Sequence, residues 1–242
     1  MRFQRPAWWV GGLALLLRAV LSAQGQGTFQ NLGFESATIV PVSGGPFVDF
    51  TQAFPGWTGY VGGVQQFLTM YDSLAMSTAG FSIIDTNYAP VYGWGSTGGL
   101  IQGRYTAVLM SGVTGPGQSS DATITQTGLV PVGTESLWFK AQFAPFSSSG
   151  SFGVTLGGQT LSLVPVASGA DYTLYGADVH AFAGQTAEMA FTVFAYPQQF
   201  AADYLFLDSI QFSNQPVPEP GVFSLWALGA VLVGWRVVRR QR

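Results

Sequence analysis

The single histidine of the chain, His180, is the first candidate for acid–base or nucleophilic chemistry. A serine hydrolase needs a histidine that is held by a carboxylate and that faces a serine nucleophile. His180 follows Val179 at the end of a predicted strand, and the sequence contains no Gly-x-Ser-x-Gly turn of the kind that presents a nucleophile before a helix. We therefore expect His180 to be a surface or edge residue, and we predict no catalytic residues.

Paired carboxylates are a second route to catalysis, because glycoside hydrolysis uses two acidic side chains about 5–10 Å apart. The acidic residues of this chain form no local cluster on one strand face. Asp171 and Asp178 are seven positions apart, so they would point to opposite faces of a straight strand. We predict a non-enzymatic protein. A polysaccharide-active enzyme, whose dispersed carboxylates converge in the fold, is the alternative.

The residue types available for metal binding are restricted. The chain has no cysteine, which excludes disulfides, zinc–thiolate sites and cysteine nucleophiles. Calcium is the metal that the composition permits, because it takes carboxylate and carbonyl oxygens as ligands.

Charge is distributed unevenly along the chain. The formal net charge is −3, but seven of the nine basic residues lie in the first 18 or the last seven positions. Between Gln24 and Val217 there are two basic and eleven acidic residues, so this span carries a formal charge of −9. An acidic surface repels polyanions, and we therefore predict no nucleic-acid partner.

Aromatic residues in a glycine-rich stretch, positions 44–99, are candidates for ligand binding. Trp57, Tyr60, Tyr92 and Trp94 lie here and could form a stacking platform for the apolar face of a sugar. Core packing is the alternative for each ring. Trp57 follows a Pro-Gly pair, where burial is favoured, whereas Trp94 stands between two glycines and is the better candidate for exposure.

Short runs bounded by Gly, Pro, Ser and Asn predict the fold, and almost no segment has a helical period. Gly157-Gly158 predicts a tight hairpin. We predict an all-β fold: an antiparallel β-sandwich of the jelly-roll type, with its first and last strands adjacent and with long loops and short strands over positions 44–99. The predicted strands are Thr28–Phe34, Ala122–Thr127, Leu137–Phe143, Phe152–Leu156, Thr160–Val164, Tyr172–Val179, Ala187–Phe194 and Tyr204–Phe212.

Residues 1–23 have the pattern of an N-terminal signal peptide. Two arginines precede an apolar stretch over positions 7–17, and small residues follow at Ser22 and Ala23. The predicted cut follows Ala23, and a cut after Gly25 is the alternative. An uncleaved membrane anchor is the alternative for the whole segment.

The last 25 residues combine three features in order. Pro218, Glu219 and Pro220 form a stiff, extended hinge, residues 221–235 carry no charge, and Arg236, Arg239, Arg240 and Arg242 follow. A spanning helix needs about 20 apolar residues, or about 17 at the short end. The run reaches this length, as a single C-terminal transmembrane helix over about 221–238, if Arg236 snorkels. The arginines would then stay on the cytoplasmic side.

This order of features resembles the PEP-CTERM sorting signal of Gram-negative bacteria. In that family the signal is recognised and removed by exosortase, a membrane-embedded cysteine transpeptidase-like enzyme. The resemblance implies that Pro218, Glu219 and Pro220 are recognised, and that exosortase and the secretion machinery are partners. It also implies an exported protein, held in the inner membrane before processing and then located at the cell surface or in the extracellular matrix. An ordinary C-terminal membrane anchor is the alternative.

A second resemblance covers residues 28–212. The segments Asn31–Glu35 (NLGFE), Phe54–Trp57 (FPGW) and Leu207–Phe212 (LDSIQF) are similar to the opening, central and closing motifs of galactose-binding-like jelly rolls. Leu32 stands where the family has glycine, and Ser209 where it has a second aspartate.

This second resemblance implies a structural calcium ion where the first and last strands meet, held by Glu35 and Asp208. The family includes many carbohydrate-binding modules. We therefore predict an exported surface or matrix protein with a non-enzymatic jelly-roll body over residues 24–213, whose candidate ligand is an exopolysaccharide. A linker and the sorting tail follow over residues 214–242. A purely structural matrix component is the second alternative.

Overall fold

The computed structural model describes residues 26–42, 45–89, 98–116, 118–145, 150–196 and 202–218. Over these residues the chain is mostly β-strand with almost no helix, as predicted. The predicted signal peptide, and the apolar run and arginines of the tail, lie outside the described residues. In the part of the chain that the structure describes, no helix is long and apolar enough to cross a membrane.

The strands are short before residue 85 and mostly longer after it. One turn of helix, α1 (Phe50–Ala53), is capped by the Asp49 carboxylate, which accepts hydrogen bonds from the backbone of Thr51 and Gln52. The strands are β1 (Phe47–Asp49), β2 (Thr58–Val61), β3 (Val64–Gln66), β4 (Leu68–Tyr71), β5 (Gly80–Ile84), β6 (Thr106–Gly115), β7 (Gln118–Ser120), β8 (Ala122–Leu129), β9 (Ser136–Ala144), β10 (Ser151–Leu156), β11 (Gln159–Thr160), β12 (Val164–Ser168), β13 (Thr173–Asp178), β14 (Thr186–Phe194) and β15 (Asp203–Ser213).

Two sheets face each other. The described strands form a nine-stranded sheet in the order β1-β4-β5-β6-β15-β9-β13-β12, with β7 paired to β6, and a six-stranded sheet in the order β11-β10-β14-β8-β2-β3. The pairing is antiparallel except between β4 and β5, which run parallel from Met70 opposite Ser82. This exception corrects the prediction of purely antiparallel sheets. It arises because residues 72–79 cross over the nine-stranded sheet. There the carbonyl of Ala75 accepts a hydrogen bond from the Tyr204 hydroxyl in β15, and the carbonyl of Met76 accepts one from the backbone of Ala202, just before β15.

The core lies between the sheets and follows the alternation of the sequence. In β9, Leu137, Phe139 and Ala141 point inward and are buried, as predicted. In β8, Ile124 is buried, whereas the neighbouring threonines point outward. The predicted hairpin at Gly157-Gly158 is also confirmed, since both glycines have positive φ and join β10 to β11.

A second, smaller apolar cluster lies on the outer face of the nine-stranded sheet. It includes Val108, Met110 and Phe206, and the loop that ends at residue 106 covers part of it. Gly98 lies directly on the Phe206 ring, because a Cβ at Gly98 would lie 2.0 Å from that ring. This loop also carries the backbone groups that contact Glu35 and Asp208.

The predicted first strand, Thr28–Phe34, is not a strand. Asn31 and Phe34 have φ values of 50° and 59°, a left-handed conformation that ends strand geometry and forms turns. The segment still contacts the last strand, since Leu32 accepts a hydrogen bond of 2.9 Å from the backbone of Ile210. The first strand of the described chain is instead β1, at the edge of its sheet, so the prediction of adjacent first and last strands was wrong.

The residues after β15 are packed on the body. Ser136 donates its hydroxyl to the carbonyl of Gln215. Val217 covers Gly176 on the outer face of β13, where an added Cβ would lie 3.0 and 3.1 Å from the two Val217 methyl carbons. The first residues of the predicted linker, 214–217, are therefore held against the nine-stranded sheet.

Candidate functional site

A groove of about 480 Å³ opens where the end of β9 meets the start of β10 and the β12–β13 hairpin. Its lining combines aromatic rings with polar side chains. The lining residues are Gln142, Phe143, Pro145, Phe152, Ser168, Gly169, Ala170, Asp171, Tyr172, Thr173 and Tyr175. The volume lies within the range of about 300–1,000 Å³ that is usual for ligand pockets.

Strand register creates this groove. β13 pairs with β9 from Asp178 opposite Ser136 to Thr173 opposite Ala141, and the pairing stops there. The hairpin turns away over residues 169–172, closed by a 2.8 Å hydrogen bond from the Gly169 backbone to the Tyr172 carbonyl. The last residues of β9 therefore extend past the hairpin and leave an open space beside it.

Three rings form one connected wall of the groove. Phe152 packs against Phe143 at 5.3 Å between centroids, and edge-on against Tyr175 at 5.5 Å. Tyr175 in turn stacks on the buried ring of Phe139 at 5.4 Å with an interplanar angle of 18°. Because Phe139 is part of the core, the wall is fixed in position while its groove-facing rings remain partly exposed.

The polar lining offers hydrogen-bonding groups but only one acid. Among the described lining residues, Asp171 is the only carboxylate, and Ser168, Thr173 and Gln142 supply hydroxyl and amide groups. The Oε1 atom of Gln142 is buried and has no hydrogen-bond partner within the described part of the chain. Such a groove can bind a ligand through apolar packing and hydrogen bonds, whereas two-carboxylate hydrolysis needs a second acid.

Two of the four residues predicted to stack on a ligand, Trp57 and Tyr60, are described by the structure and do not line the groove. Trp57 is only 3% exposed, its Nε1 donates to the carbonyl of Asn31 at 3.2 Å, and its ring packs on Phe34. Of the two alternatives stated for Trp57, the structure supports core packing and rules out ligand stacking, because a ring that fills the core cannot stack on a ligand. Tyr60 lies on the outer face of the six-stranded sheet, next to Thr123. Tyr92 and Trp94 lie outside the described residues.

The structure places the two predicted calcium ligands at one loop. Glu35 accepts hydrogen bonds of 3.0 Å from the Arg104 backbone at both carboxylate oxygens. Asp208 accepts hydrogen bonds from the Gln102 backbone at 3.1 Å and from the Thr106 hydroxyl at 2.9 Å. Two carboxylates therefore converge on residues 102–106, although the described residues contain no group of three or more acidic or histidine side chains that could hold a metal.

Asp208 carries a costly charge in this position. Asp208 is 1% exposed, and burial raises the pKa of its carboxyl to about 6. Hydrogen bonds from Thr106 and Ser209 favour the charged form and lower the pKa, but the effect of burial is larger. A cation within about 4–6 Å would offset this cost. The carboxylate oxygens of Glu35 and Asp208 are of the ligand type that calcium takes, although each carboxylate also accepts hydrogen bonds from the protein.

His180 does have a carboxylate partner, but on the surface. Its Nδ1 lies 2.7 Å from Oδ1 of Asp178, and the side chains are 65% and 69% exposed. The hydrogen bond to Asp178 raises the pKa of His180. Among the described contacts, no serine hydroxyl bonds to this imidazole, so the pair closes a surface turn and does not form a triad.

Sequence reasoning missed a pair of acids next to β4 and β5. Asp72 accepts a hydrogen bond of 2.8 Å from the backbone of Asp85, whose carboxylate accepts the Tyr71 hydroxyl at 2.6 Å. Burial raises the pKa of Asp72; for Asp85 burial acts in the same direction, but hydrogen bonds from Tyr71 and Asn87 outweigh it and lower the pKa. The pair is not part of the groove lining, and its spacing of 13 residues gave no sequence signal.

Comparison with known proteins gives a limited result. No protein-family model matches the chain, and no curated protein matches it. Among solved structures, it is similar to the carbohydrate-binding module TmCBM61 in complex with beta-1,4-galactotriose, with a TM-score of 0.43 and 13% identity. The similarity covers 78% of this chain and 99% of that chain. The two chains are too divergent for residues to be carried from one to the other.

Proposed function

We propose that the body is a non-catalytic module of the jelly-roll class that binds a neutral polysaccharide in the groove beside β9. The observation that carries this proposal is the wall of partly exposed rings, Phe143, Phe152 and Tyr175, with polar groups along its rim. The apolar face of a pyranose ring packs on aromatic side chains, while its hydroxyls bond to rim groups. The acidic body and Asp171 disfavour an anionic polymer.

Retention by immobilised polysaccharides tests the proposal. The full chain, in detergent micelles, is tested against β-1,4-galactan, dextran and hydroxyethylcellulose as neutral polymers and alginate as an anionic one. We expect retention by at least one neutral polymer and none by alginate. We also expect no release of reducing ends, because Asp171 is the only carboxylate among the described lining residues. Failure of all three neutral polymers to retain the chain would remove the proposal.

A pair of matched variants tests the groove itself. Tyr172 lies in the hairpin turn, so Tyr172→Ala removes a groove ring and leaves the core intact. We expect Kd to rise about 30-fold, since truncating a central aromatic contact costs about 2 kcal/mol. Phe67 is 67% exposed and does not line the groove, so Phe67→Ala is the control and should leave Kd unchanged. Equal effects of the two variants would contradict binding in the groove.

We further propose that the chain is exported through its N-terminal signal and sorted by an exosortase through Pro218, Glu219 and Pro220. The three-part order of the tail supports this proposal. Held first in the inner membrane, with Arg236 and the following arginines on the cytoplasmic side, the body would then reach the cell surface or the matrix.

Mass spectrometry of the exported protein in an exosortase-bearing host tests the sorting proposal. The mature species should lack the arginine tail. Changing Pro218 and Glu219 to alanine should leave the full-length chain in the inner membrane, because the apolar run and the arginines still stop transfer. A mature wild-type species that keeps its arginines would show a plain membrane anchor.

We propose, third, that Glu35 and Asp208 hold a structural calcium ion. The supporting observation is the convergence of an exposed and a buried carboxylate on residues 102–106. A site of micromolar affinity at millimolar calcium would stabilise the body by about 4 kcal/mol. Thermal unfolding with calcium and with chelator measures this, and Glu35→Gln should remove most of the difference. The same midpoint in both buffers would contradict a calcium site.

A further inference from the structure

Lys140 is an unusual residue at its position. It is one of two basic residues between Gln24 and Val217, and it points outward from β9 next to the groove. In sheet register it lies between Leu174 of β13 and Asp208 of β15. An ammonium group beside a carboxylate would be expected to form an ion pair, yet the only ion pair among the described residues joins His180 and Asp178.

The Lys140 ammonium instead lies over the ring of Tyr172, which also lines the groove. Its Nζ lies 4.6 Å from the centroid of the Tyr172 ring, within the distance of a cation–π contact. The same Nζ donates a hydrogen bond to Oε1 of Gln102. Lys140 itself is not among the groove-lining residues. Its described link to the groove is the Tyr172 ring, which does line it.

Gln102 is fixed at both its backbone and its side chain. Its backbone N–H donates to Asp208 at 3.1 Å, and its Oε1 also accepts the Ser209 hydroxyl at 3.1 Å. The amide that receives the Lys140 ammonium therefore has a defined position. The contacts form a continuous path from the loop at residues 98–106, through Lys140, to the ring of Tyr172.

The Tyr172 ring lies beyond the paired part of β9 and β13. It lies in the turn of the β12–β13 hairpin, after the strand pairing with β9 has ended. Gly169 lies against the ring, because a Cβ at Gly169 would be 2.5 Å from a ring carbon. A second contact with the ring is described, and it comes from the side chain of Lys140.

We propose that Lys140 is a positioning residue for the groove: its ammonium, fixed by Gln102, holds the Tyr172 ring in place at the groove and connects it to the loop at residues 98–106. Neutral ligands are then bound more tightly because of a charge that does not touch them. The inference rests on the proposed polysaccharide binding for its functional part. The positioning of Tyr172 stands on the contacts alone.

Two readouts separate these parts. In the full chain labelled with ¹³C-tyrosine, the Tyr172 ring signals are assigned with Tyr172→Phe and followed without any ligand. Lys140→Met keeps the aliphatic stem and removes the charge, so it should shift these signals, and Gln102→Leu should shift them in the same direction. Lys140→Arg keeps a cation over the ring and should preserve them. Unchanged Tyr172 signals in Lys140→Met or in Gln102→Leu would overturn the proposed positioning.

The second readout is the Kd for each neutral polymer (β-1,4-galactan, dextran or hydroxyethylcellulose) that retains the wild-type chain. We expect Lys140→Met to raise Kd about two- to fivefold and Lys140→Arg to restore it. A Kd in Lys140→Met equal to that of the wild-type chain would overturn the role of the charge in binding. A rise in Kd in Lys140→Arg as large as the rise in Lys140→Met would overturn it as well. If no neutral polymer retains the wild-type chain, the proposed function fails, while the Tyr172 signals still decide the positioning.

Discussion

Asp208 should make the body less stable as the pH rises from about 4 to about 7 in calcium-free buffer. Burial raises its pKa in the folded state to about 6, against 3.8 for an ordinary aspartate. Between these values the folded state binds more protons than the unfolded state, so the free energy of unfolding falls with rising pH. The contribution of this group is fully present below about pH 4 and is lost as the pH rises through about 6. The difference between the two pKa values corresponds to about 3 kcal/mol.

The perturbation that isolates this effect is Asp208→Asn, which cannot ionise. Denaturant unfolding of the wild-type chain and the variant at about pH 4 and about pH 7 gives four free energies. At pH 4 the variant should be less stable, because the asparagine amide cannot accept from all the donors that now face Asp208, which include the Gln102 backbone and the Thr106 hydroxyl.

The deciding quantity is the difference in the free energy of unfolding between the wild-type chain and Asp208→Asn, and how that difference changes with pH. Because only the wild-type chain must ionise a buried acid, its advantage over the variant should shrink by about 2 kcal/mol between the two pH values, which is most of the full difference. Ionisation of other groups affects both chains alike and cancels. A gap that stays constant, or that widens towards neutral pH, would refute the reasoning that burial dominates at Asp208.

Three further predictions concern stability and need only thermal or denaturant unfolding. Trp57→Ala should destabilise the body by about 3–5 kcal/mol, because the indole is buried in the core, and a loss below about 1 kcal/mol would contradict its burial. Asp49→Ala should cost about 1 kcal/mol by removing the N-cap of α1, whereas Asp49→Asn should restore most of it. Gly59→Ala should cost about 1–3 kcal/mol, since its Cβ would lie 2.4 Å from the Phe50 ring, while Gly99→Ala, with open space around it, is the neutral control.

The strands β8, β9 and β14 were predictable because each is buried mainly on one face. Buried and less buried residues alternate along most of β9 and β14, so a period of two is clear in the sequence. The segment at residues 28–34 is apolar enough to resemble a strand, but its turns depend on left-handed backbone at Asn31 and Phe34. Phenylalanine is not a residue that signals such a conformation. The parallel pairing of β4 and β5 depends on a crossover over the sheet, which no local pattern specifies.

The groove could not be predicted, because its rings come from three separate strands and each also looks like a core residue. Phe143 and Phe152 belong to runs that alternate as buried strands do, and Tyr175 stacks on the core ring of Phe139. The groove opens because β13 stops pairing with β9 at Thr173, and this end point depends on the register of the two strands, which the sequence of either strand alone does not specify. The close approach of Glu35 and Asp208 was expected only from motif similarity, since 173 positions separate them in the sequence.

The docking of Val217 on Gly176 fixes where the chain leaves the body. Gly176 pairs with Trp138 near the start of β9, whereas the groove lies beyond Ala141 near its end. Five residues separate Trp138 from Phe143, which corresponds to about 17 Å along the strand. A body tethered through Pro218 would therefore have its attachment point and its groove towards opposite ends of one rigid strand. The body would then have a fixed orientation, with the groove pointing away from the surface to which the chain is attached.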